Sequence, residues 1–314
     1  MRASDITEKK LIELVSRSFG KGDGIVIGAR EDDCAVIDTG EGCIVLTTDM
    51  LHRTTDFPEM MTAHQIGWMS VAVSLSDIAS MGARPIAILV SIGLPDDTEL
   101  DFVEELGEGM NACASKYDVS IVGGDIDSHD ELTLCGSAIG TAAKERIVRR
   151  GGAGEGELLC VTGSLGGAAA GLKIALGEAS ASDSVREILL KSLFEPEPRV
   201  LEGLALAGYA TSMIDISDSL AISLHELADA SGVGFQVVKE QIPISDGVKS
   251  TFKDPLELSI YGGGDFELLF TIKRGDVTSV KDKVPFSVIG EVTSSGIHLM
   301  GSDQEIEFRG YRHF

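Results

Sequence analysis

Strand-length and helix-length patterns alternate along the chain, and this alternation limits the possible folds more than any other feature of the sequence. Apolar runs with the length and composition of buried strands lie in the first half at residues 43–48, 86–94, 119–122 and 132–142. Two longer runs between them predict helices, one at residues 62–81, ended by Gly82 and Pro85, and an amphipathic one at residues 97–117. The predicted order is therefore βαβαββ, which excludes an all-helical bundle and a β-sandwich.

The second half continues the alternation. Its strand patterns lie at residues 158–162, 212–215, 234–238 and 268–272. A basic, glycine-rich stretch at residues 146–156 separates the halves, as is typical of a domain boundary. A chain of 314 residues is long enough for about two domains. We therefore predict a two-domain α/β protein, with an N-terminal ATP- and metal-binding domain at residues 1–148 and a C-terminal α/β domain at residues 149–314.

The balance of charge limits the partners that the protein can bind. The 50 Asp and Glu residues against 26 Lys and Arg residues give a formal net charge of −24. Attraction to nucleic acid or to an anionic membrane surface is therefore disfavoured. A solvated acidic surface, of the kind that salt adaptation also produces, accounts for most of the excess negative charge. Most of that charge therefore needs no catalytic role. An anionic substrate would need metal ions to bind.

Neither a membrane span nor a disulfide framework is indicated. The longest stretch without Asp, Glu, Lys or Arg, residues 60–76, contains His64, Gln65 and several hydroxyl side chains. The 5 cysteines are widely spaced and include no CxxC pair, which favours reduced thiols over disulfides or a zinc site. We expect a cytoplasmic protein.

Aspartate residues recur near the ends of the predicted elements, beside small or hydroxyl-bearing neighbours. They are Asp32, Asp33, Asp49, Asp77, Asp125, Asp215 and Asp218. Taken singly, each is a typical N-cap or turn residue. As a set, with Thr47, Thr48 and Ser217 beside them, they leave room for hard cations and phosphate. Mg²⁺ prefers such carboxylate oxygens together with substrate phosphates and water.

Asp77 is the most informative of these aspartates. It lies in the otherwise uncharged helical run VAVSLSDIASMG. An unpaired carboxylate buried in such a helix is costly, and a bound metal ion would relieve that cost. The alternative is a capped or solvent-facing aspartate.

The two halves share a weak internal echo. Each has a strand predicted to end in an aspartate, Asp49 or Asp215, and later a glycine-rich turn predicted to close on Asp125 or Asp265. Short turns of glycine and aspartate recur by chance, so the echo is weak evidence for a common ancestry of the halves.

Familiar nucleotide-binding and hydrolase motifs are absent from the sequence. No GxxxxGK[ST] phosphate loop occurs, and the 6 histidines form no recognisable Ser/His/Asp frame. The segment GSLGGAAAGL, residues 163–172, follows a predicted strand and opens a helix, where backbone N–H groups can meet an anion. Small residues at such a turn more often serve close packing of a helix on a sheet, and we favour that interpretation.

The order of the motifs resembles that of the thiamine-monophosphate kinases, a family of the aminoimidazole-ribotide-synthetase-like ATP-binding superfamily. The motifs are GAREDDCAVI, VLTTDMLHRTTDFP, VAVSLSDIASMGARP, IVGGDID, DISDSLA, YGGGDFELLFT and GYRHF. The resemblance runs nearly end to end, and several motifs in one order are much more specific than any one of them. It implies phosphorylation of thiamine monophosphate to thiamine diphosphate by direct in-line transfer from ATP, assisted by a Mg²⁺ cluster.

The resemblance also implies roles for individual residues. Positions that match metal ligands of the family are Asp33, Thr47, Thr48, Asp49, Asp77, Asp125, Asp215 and Asp218. Positions that match ATP contacts are Gly124, Asp125, Arg150 and Ser217, with Arg150 stabilising the phosphates. Positions that match substrate contacts are Asp56, Gly264 and Tyr311. No general acid or base is implied, since the acceptor phosphate is already anionic near neutral pH.

The family fold implies a homodimer. In the family, the strands of the N-terminal domain form a barrel with the same domain of a second subunit, and a larger C-terminal α/β domain follows. The ATP sites are therefore expected near the subunit interface.

The sequence departs from the family at substrate positions. Asp56 stands where bacterial members have a histidine, and Gly264 replaces the glutamate of the GGED motif. Ser219 replaces the glycine of DISDG. His52 is a nearby substitute for the histidine, although a lone loop histidine is usually an ordinary surface residue. The phosphoryl donor is thus better supported than the acceptor.

Two alternatives stay open. One is another ATP-dependent enzyme of the same superfamily with a different acceptor, for example one that activates an amide and releases ADP and phosphate. The other is a noncatalytic acidic protein that binds metal ions or ATP. Aspartates beside glycine and threonine in ordered motifs speak against the second, because buffering requires charge but no such arrangement.

Overall fold

The computed structural model describes residues 2, 6, 8–20, 22–301 and 304–311. The helices of the first half are α1 (Glu8–Ser16), α2 (Arg53–Asp56), α3 (Ala63–Ser80) and α4 (Leu100–Lys116). Its strands are β1 (Ile25–Ile27), β2 (Ala35–Asp38), β3 (Cys43–His52), β4 (Arg84–Leu94), β5 (Ser120–Ser128) and β6 (Thr133–Ala142). The predicted βαβαββ order is confirmed from β3 to β6. The sequence analysis missed β1 and β2, which are too short to show a period.

The second half is also mixed. Its helices are α5 (Gly167–Ala175), α6 (Asp183–Phe194), α7 (Val200–Leu206), α8 (Leu220–Ser231), α9 (Asp246–Thr251), α10 (Pro255–Tyr261) and α11 (Val277–Lys281). Its strands are β7 (Leu158–Thr162), β8 (Ala210–Ile216), β9 (Gly234–Val237), β10 (Glu267–Ile272), β11 (Phe286–Thr293) and β12 (Ile297–Leu299). The predicted strands correspond to β7, β8, β9 and β10, whereas β11 and β12 were not predicted.

Each half forms its own mixed sheet, and the protein is a two-domain α/β protein. In the described residues, the strand orders are β1-β2-β3-β6-β4-β5 and β12-β9-β11-β7-β10-β8. β4 and β5 are parallel and are joined by the α4 crossover. β9 and β12 are also parallel. The first sheet ends at Ala142 and the second begins at Leu158. The domain boundary between residues 148 and 149 stays a prediction.

Two segments that carry aspartates differ from the sequence prediction. The sequence predicts that a strand ends at Asp49 and that a turn closes on Asp125, but both aspartates lie inside strands. β3 continues past Asp49 to His52, because β6 pairs with it from Cys43 to His52 and satisfies its backbone groups. The Gly-Gly-Asp segment lies inside β5, where Gly124 pairs with Val90 of β4. A Cβ atom at Gly124 would lie 1.8 Å from the Val90 carbonyl oxygen, so the glycine permits close strand pairing rather than a turn.

Helix α3 lies between the two sheets. Thr62 caps its N-terminus, and the Gln65 side chain completes a capping box. Gly82, with a φ of +64°, follows its C-terminus. The helix packs against β3, β4 and β6 of the first sheet and against β8 of the second. Most of its residues are buried, as expected for a helix that is apolar on nearly all sides.

Separate apolar cores support the two sheets. Ile66, Leu75 and Ile88 are fully buried in the first core, and Leu159 and Leu220 in the second. Among the described residues, no helix combines the length and the apolar character that crossing a membrane requires.

Candidate active site

Four aspartates from both halves converge on helix α3. Asp33 precedes β2, Asp49 lies on β3, Asp77 lies on α3 itself and Asp215 lies on β8. Each carboxylate accepts a hydrogen bond from a hydroxyl group: Asp33 from Ser80 at 2.7 Å, Asp49 from Ser74 at 2.7 Å, Asp77 from Thr47 at 2.5 Å and Asp215 from Ser76 at 2.6 Å. We call these four residues the carboxylate cluster.

The carboxylate cluster concentrates negative charge in a poorly solvated place. Burial raises the pKa of Asp49, raises that of Asp77 well above its usual range and raises that of Asp215 to about 8. Neighbouring aspartates add to each shift, Asp49 and Asp215 at Asp77, and Asp33 at Asp49 and Asp215. Asp215 is buried, whereas Asp49 and Asp77 are half-buried and reach solvent. A cation would favour the ionised form of all of them.

Arg150 lies beside the cluster and is held by acidic residues of both halves. Its Nε atom donates to Asp33 at 3.0 Å, and its Nη1 atom lies 2.9 Å from Glu226 of α8. Its backbone N–H donates to Asp32 at 3.2 Å. Burial and the adjacent Asp33 raise the pKa of Asp32 to about 7. The structure therefore places the predicted phosphate-stabilising arginine in an ion pair with a predicted metal ligand.

The side chains of Thr47 and Thr48 point to opposite faces of the sheet, as those of successive residues in a strand do. Thr47 faces Asp77, on the same side of β3 as Asp49. The Thr48 hydroxyl instead donates to the carbonyl of Gly136 on β6 at 2.9 Å. Only Thr47 of this pair contacts the carboxylate cluster within the described residues.

The loop after β8 joins the cluster to the C-terminal segment. Ser217 is exposed, and its carbonyl accepts a hydrogen bond from the N–H of Gly264 at 2.6 Å. The carbonyl of Asp218 accepts from the N–H of Tyr311 at 3.1 Å. Three predicted residues thus lie around Asp218, which stands two residues after the end of β8, the strand that carries Asp215. The last three residues of the GYRHF motif lie outside the described residues.

The N-terminus of α5 is occupied by a carboxylate of the chain. Asp265 accepts hydrogen bonds from the N–H groups of Gly166 at 2.7 Å and Ala168 at 3.1 Å. Burial raises the pKa of Asp265 to about 7. A Cβ atom at Gly171 would lie 2.2 Å from the Leu189 carbonyl oxygen of α6, which supports the packing interpretation of this glycine-rich segment.

Other predicted residues lie apart from the carboxylate cluster. Asp56 accepts hydrogen bonds from the N–H of His52 and the hydroxyl of Thr55, both at 2.7 Å, and so closes the turn of α2. Gly124 and Asp125 lie on the exposed strand β5. Across the described part of the chain, no hydrogen bond or ion pair joins Asp56 or Asp125 to the cluster.

The protein side chains alone do not form a ready-made metal site. Within the described residues, no group of three or more His, Cys, Asp or Glu side chains is arranged to hold a metal ion. The donor set nevertheless consists of carboxylate and hydroxyl oxygens, the ligands that hard cations prefer.

Sequence reasoning missed the serines of α3 and Glu226. Ser74, Ser76 and Ser80 each donate to the carboxylate of one aspartate, and all three are fully buried. The sequence carries little signal for them, because a buried helical serine commonly bonds to a carbonyl of its own helix. Glu226 of α8 contacts Arg150 from more than 70 residues away in the sequence, and no local pattern indicates such a pair.

Comparisons with known proteins place the chain in a family. The model of the AIR synthase related protein N-terminal domain matches residues 31–142, and that of the C-terminal domain matches residues 154–300. A thiamine-monophosphate kinase of Methanospirillum hungatei is 44% identical over 90% of this chain and 92% of its own. One of Archaeoglobus fulgidus is 39% identical over 99% of both chains.

A solved structure shares the fold over the whole chain. It is AaThiL complexed with AMPPCP and TMP, which superposes with a TM-score of 0.89 at 28% sequence identity and covers 100% of this chain and 99% of that one. The family models, the curated relatives and this structure agree with the family resemblance found in the sequence. The chain therefore belongs to the AIR synthase related proteins and, within them, to the thiamine-monophosphate kinase family.

Proposed function

We propose that this protein transfers the γ-phosphoryl group of ATP to the phosphate of thiamine monophosphate, giving thiamine diphosphate and ADP. The observation that carries the proposal is the convergence of acidic side chains from both halves on helix α3, namely Asp33, Asp49, Asp77 and Asp215. The names of the relatives, and the nucleotide analogue and TMP in the AaThiL complex, favour this reaction over other uses of the fold.

Mg²⁺ is the metal that we propose for the carboxylate cluster. The full donor set would be Asp33, Thr47, Thr48, Asp49, Asp77, Asp125, Asp215 and Asp218. The four residues of the cluster fit best, because burial raises the pKa of Asp49, Asp77 and Asp215, which a bound cation would lower again, and because oxygen ligands suit Mg²⁺. When bound, Mg²⁺ supplies charge neutralisation at the transferring phosphoryl group.

ATP is proposed to bind beside Arg150 and the loop after β8. Arg150 presents a planar guanidinium, which suits phosphate oxygens, and Ser217 is exposed beside the cluster. Gly124 and Asp125 would contribute from the exposed strand β5. Arg150 would then exchange part of its contact with Asp33 and Glu226 for phosphate.

The acceptor is proposed to lie against Tyr311 and Gly264. Both residues are hydrogen-bonded to the Ser217–Asp218 loop through their backbone N–H groups, and the Tyr311 side chain is 40% exposed. Gly264 has no side chain, so this position offers backbone groups rather than the carboxylate of the family motif. Its φ of +90° is one that glycine adopts readily. Asp56 would contact the substrate from the far end of β3.

The chemistry requires positioning rather than a strong base. The second pKa of a phosphate monoester is about 6, so the acceptor oxygen is already anionic at neutral pH. The chain's task is to hold two polyanions in line, with Arg150 and the metal-holding aspartates reducing their repulsion. The aspartates are therefore assigned to hold cations and not to attack phosphorus.

We also propose a homodimer that pairs the β5 edges of two subunits. β5 is the edge strand of the first sheet and is exposed along its whole length. Val122 is 59% and Ile126 is 64% exposed, which is typical of a surface that is covered in an assembly. Pairing at β5 would bring Gly124 and Asp125 to the subunit interface.

A cytoplasmic location is proposed from the free thiols.

An acceptor panel tests the function. The purified protein would be incubated with ATP and Mg²⁺ and with thiamine monophosphate, thiamine or an amide-bearing ribonucleotide, and ADP and free phosphate would be measured. We expect ADP only with thiamine monophosphate, and no free phosphate. ADP with equal free phosphate on the amide acceptor would support the superfamily alternative, for which the changes at Asp56 and Gly264 are the specific reason. Nucleotide binding without ADP from any acceptor would support the noncatalytic alternative.

A further inference from the structure

Two serines of α3 form hydrogen bonds that reach away from their own helix. The Ser74 hydroxyl donates to Oδ2 of Asp49 at 2.7 Å, and the Ser76 hydroxyl donates to Oδ2 of Asp215 at 2.6 Å. Both serines have 0% exposed surface. Asp49 belongs to the first sheet and Asp215 to the second, so one helix contacts carboxylates from both halves.

The helix geometry places these serines on either side of Asp77. Successive helical residues are rotated by about 100°, so Ser74 and Ser76 lie on opposite flanks of Asp77 on one side of α3. Ser80 extends the pattern, since its hydroxyl lies 2.7 Å from Oδ2 of Asp33 and 2.8 Å from the Asp77 carbonyl oxygen. Helix α3 therefore carries one member of the carboxylate cluster, Asp77, and contacts the other three.

The same helix shows what a serine without this role does. Ser70, one turn before Ser74, is also buried, and its hydroxyl donates to the carbonyl of Gly67 on its own helix at 2.8 Å. The facing strand leaves room for Ser74, because a Cβ atom at Gly136 would lie 2.8 Å from its Oγ atom. The contact to Asp49 thus depends on a glycine in β6 as well as on the serine.

A neutral donor has a different effect on a carboxylate than a cation has. An arginine would fix the carboxylate and also cancel its charge, whereas a hydroxyl fixes one oxygen and leaves the negative charge available. At Asp49 and Asp215 the Oδ2 atom is held, and no serine among the described residues donates to the Oδ1 atom. Groups that orient metal ligands in this way commonly change metal affinity by 10- to 100-fold when they are removed.

We propose that Ser74 and Ser76 are positioning residues, which hold one oxygen of Asp49 and of Asp215 so that the other oxygen is directed to the cation that phosphoryl transfer needs. This inference rests on the proposed function, because it assigns a cation to the carboxylate cluster. Because both serines are fully buried and donate to the aspartates, they are assigned to act through those carboxylates.

The test compares Ser74→Ala and Ser76→Ala with the control variant Ser70→Ala in the full-length protein. Binding of Mn²⁺ alone, a paramagnetic probe for the Mg²⁺ site, would be measured by electron paramagnetic resonance at pH 7.5. We expect Ser74→Ala and Ser76→Ala to weaken Mn²⁺ binding about tenfold or more, and Ser70→Ala to change it less than twofold. In kinetic assays the Mg²⁺ concentration for half-maximal rate should rise for the first two variants, while the KM for thiamine monophosphate stays unchanged.

Cysteine variants guard against a folding defect. Ser74→Cys and Ser76→Cys keep the size of the side chain but donate a weaker hydrogen bond, so they should fold and still show weaker Mn²⁺ binding. Wild-type Mn²⁺ affinity in folded Ser74→Ala and Ser76→Ala would overturn the proposal, as would an equal loss in Ser70→Ala. A wild-type protein that binds no Mn²⁺ would overturn it together with the metal set. Mn²⁺ binding that depends on the serines, without phosphorylation of thiamine monophosphate, would uphold the positioning role and reject the kinase.

Discussion

At the scale of single residues, Asp77 shows how strongly the surroundings determine the chemistry of a carboxylate. Burial, followed by Asp49 and Asp215, raises its pKa, and in the part of the chain that the structure describes its side chain is hydrogen-bonded to the neutral hydroxyl of Thr47. Such a group destabilises the folded protein when it is ionised. Its presence is therefore better explained by function than by stability.

Neutralising these aspartates should separate activity from stability. We predict that Asp49→Asn and Asp77→Asn each lower kcat by at least about 100-fold, because a cation ligand is lost, while the melting temperature stays the same or rises. Steady-state kinetics and thermal unfolding without Mg²⁺ would measure the two effects. Asp130→Asn, in the exposed turn between β5 and β6, is the control and should leave both unchanged. Full activity in both cluster variants would reject the metal assignment.

Asp265 gives a prediction for the effect of pH. Its folded-state pKa is about 7, whereas the unfolded chain releases this proton near pH 4. The stability that the bound proton contributes is thus complete below about pH 4 and is lost as the pH rises through 7. Relative to Asp265→Asn, which cannot titrate, the free energy of unfolding of the wild type should fall by roughly 3–4 kcal/mol from pH 4 to pH 8. Urea unfolding in EDTA would measure this, and a difference that does not vary with pH would contradict it.

At the scale of elements, the sequence predicts what local patterns control. The long helix at 62–81 is found at Ala63–Ser80, because its long apolar run, its capping box and the glycine after it are local features of the sequence. The strands β3 and β5 run further than predicted, since their ends depend on pairing with β6 and β4, which are distant in sequence.

The candidate site likewise contains residues that the sequence indicates and residues that it does not. The aspartates of the carboxylate cluster could be chosen from the sequence, because their acidic type and small neighbours stand out. The serines that contact them could not be chosen, because a hydroxyl in a buried helix has the same sequence pattern whether it faces a carboxylate or its own helix. The pairing of Arg150 with Glu226 likewise depends on how the two halves pack.

Ser219 connects helix α8 with the C-terminal segment, residues 304–311. Its hydroxyl caps α8 by accepting from the N–H of Ile222 and donates to the Arg309 carbonyl, both at 3.0 Å. A Cβ atom at Gly310 would lie 2.5 Å from this hydroxyl, so the segment passes very close to Ser219. The serine that replaces the family's glycine thus helps to place Tyr311 beside Asp218.

Removing this hydroxyl should loosen the C-terminal segment. We predict that Ser219→Ala costs about 1 kcal/mol of stability through the lost cap, and raises the KM for thiamine monophosphate several-fold with little change in the KM for ATP. Amide hydrogen exchange should become faster in residues 304–311. Thr62→Ala removes the cap of α3 and is the control, since it should not affect exchange in that segment. Unchanged exchange and unchanged KM in Ser219→Ala would contradict this role.

At the scale of the whole molecule, the site depends on contacts between the halves. Ser76 joins α3 to Asp215, and Arg150 joins Asp33 to Glu226. Helix α7 also packs closely on α3, because a Cβ atom at Gly203 would lie 2.2 Å from the Ala79 carbonyl oxygen. Neither half contains the full carboxylate cluster, so we expect activity only from the intact chain.

The proposed dimer makes a prediction at the same scale. We expect a dimer in sedimentation experiments on the wild type, and a monomer for Ile126→Glu, because a charge on the exposed edge strand β5 disfavours strand pairing. The monomer should also bind ATP at least about tenfold more weakly if Gly124 and Asp125 act at the interface. Leu176→Glu, a change at an exposed leucine outside β5, should remain dimeric. A monomeric wild type at high concentration would reject the barrel.

The most direct test of the central claim is phosphorus NMR of the purified protein with ATP, Mg²⁺ and thiamine monophosphate. The spectrum shows whether the phosphorus that leaves ATP enters a new diphosphate or becomes free phosphate. We predict that thiamine diphosphate and ADP appear in equal amounts, with no free phosphate. ATP consumption with free phosphate and unchanged thiamine monophosphate, or no reaction at all, would contradict the account.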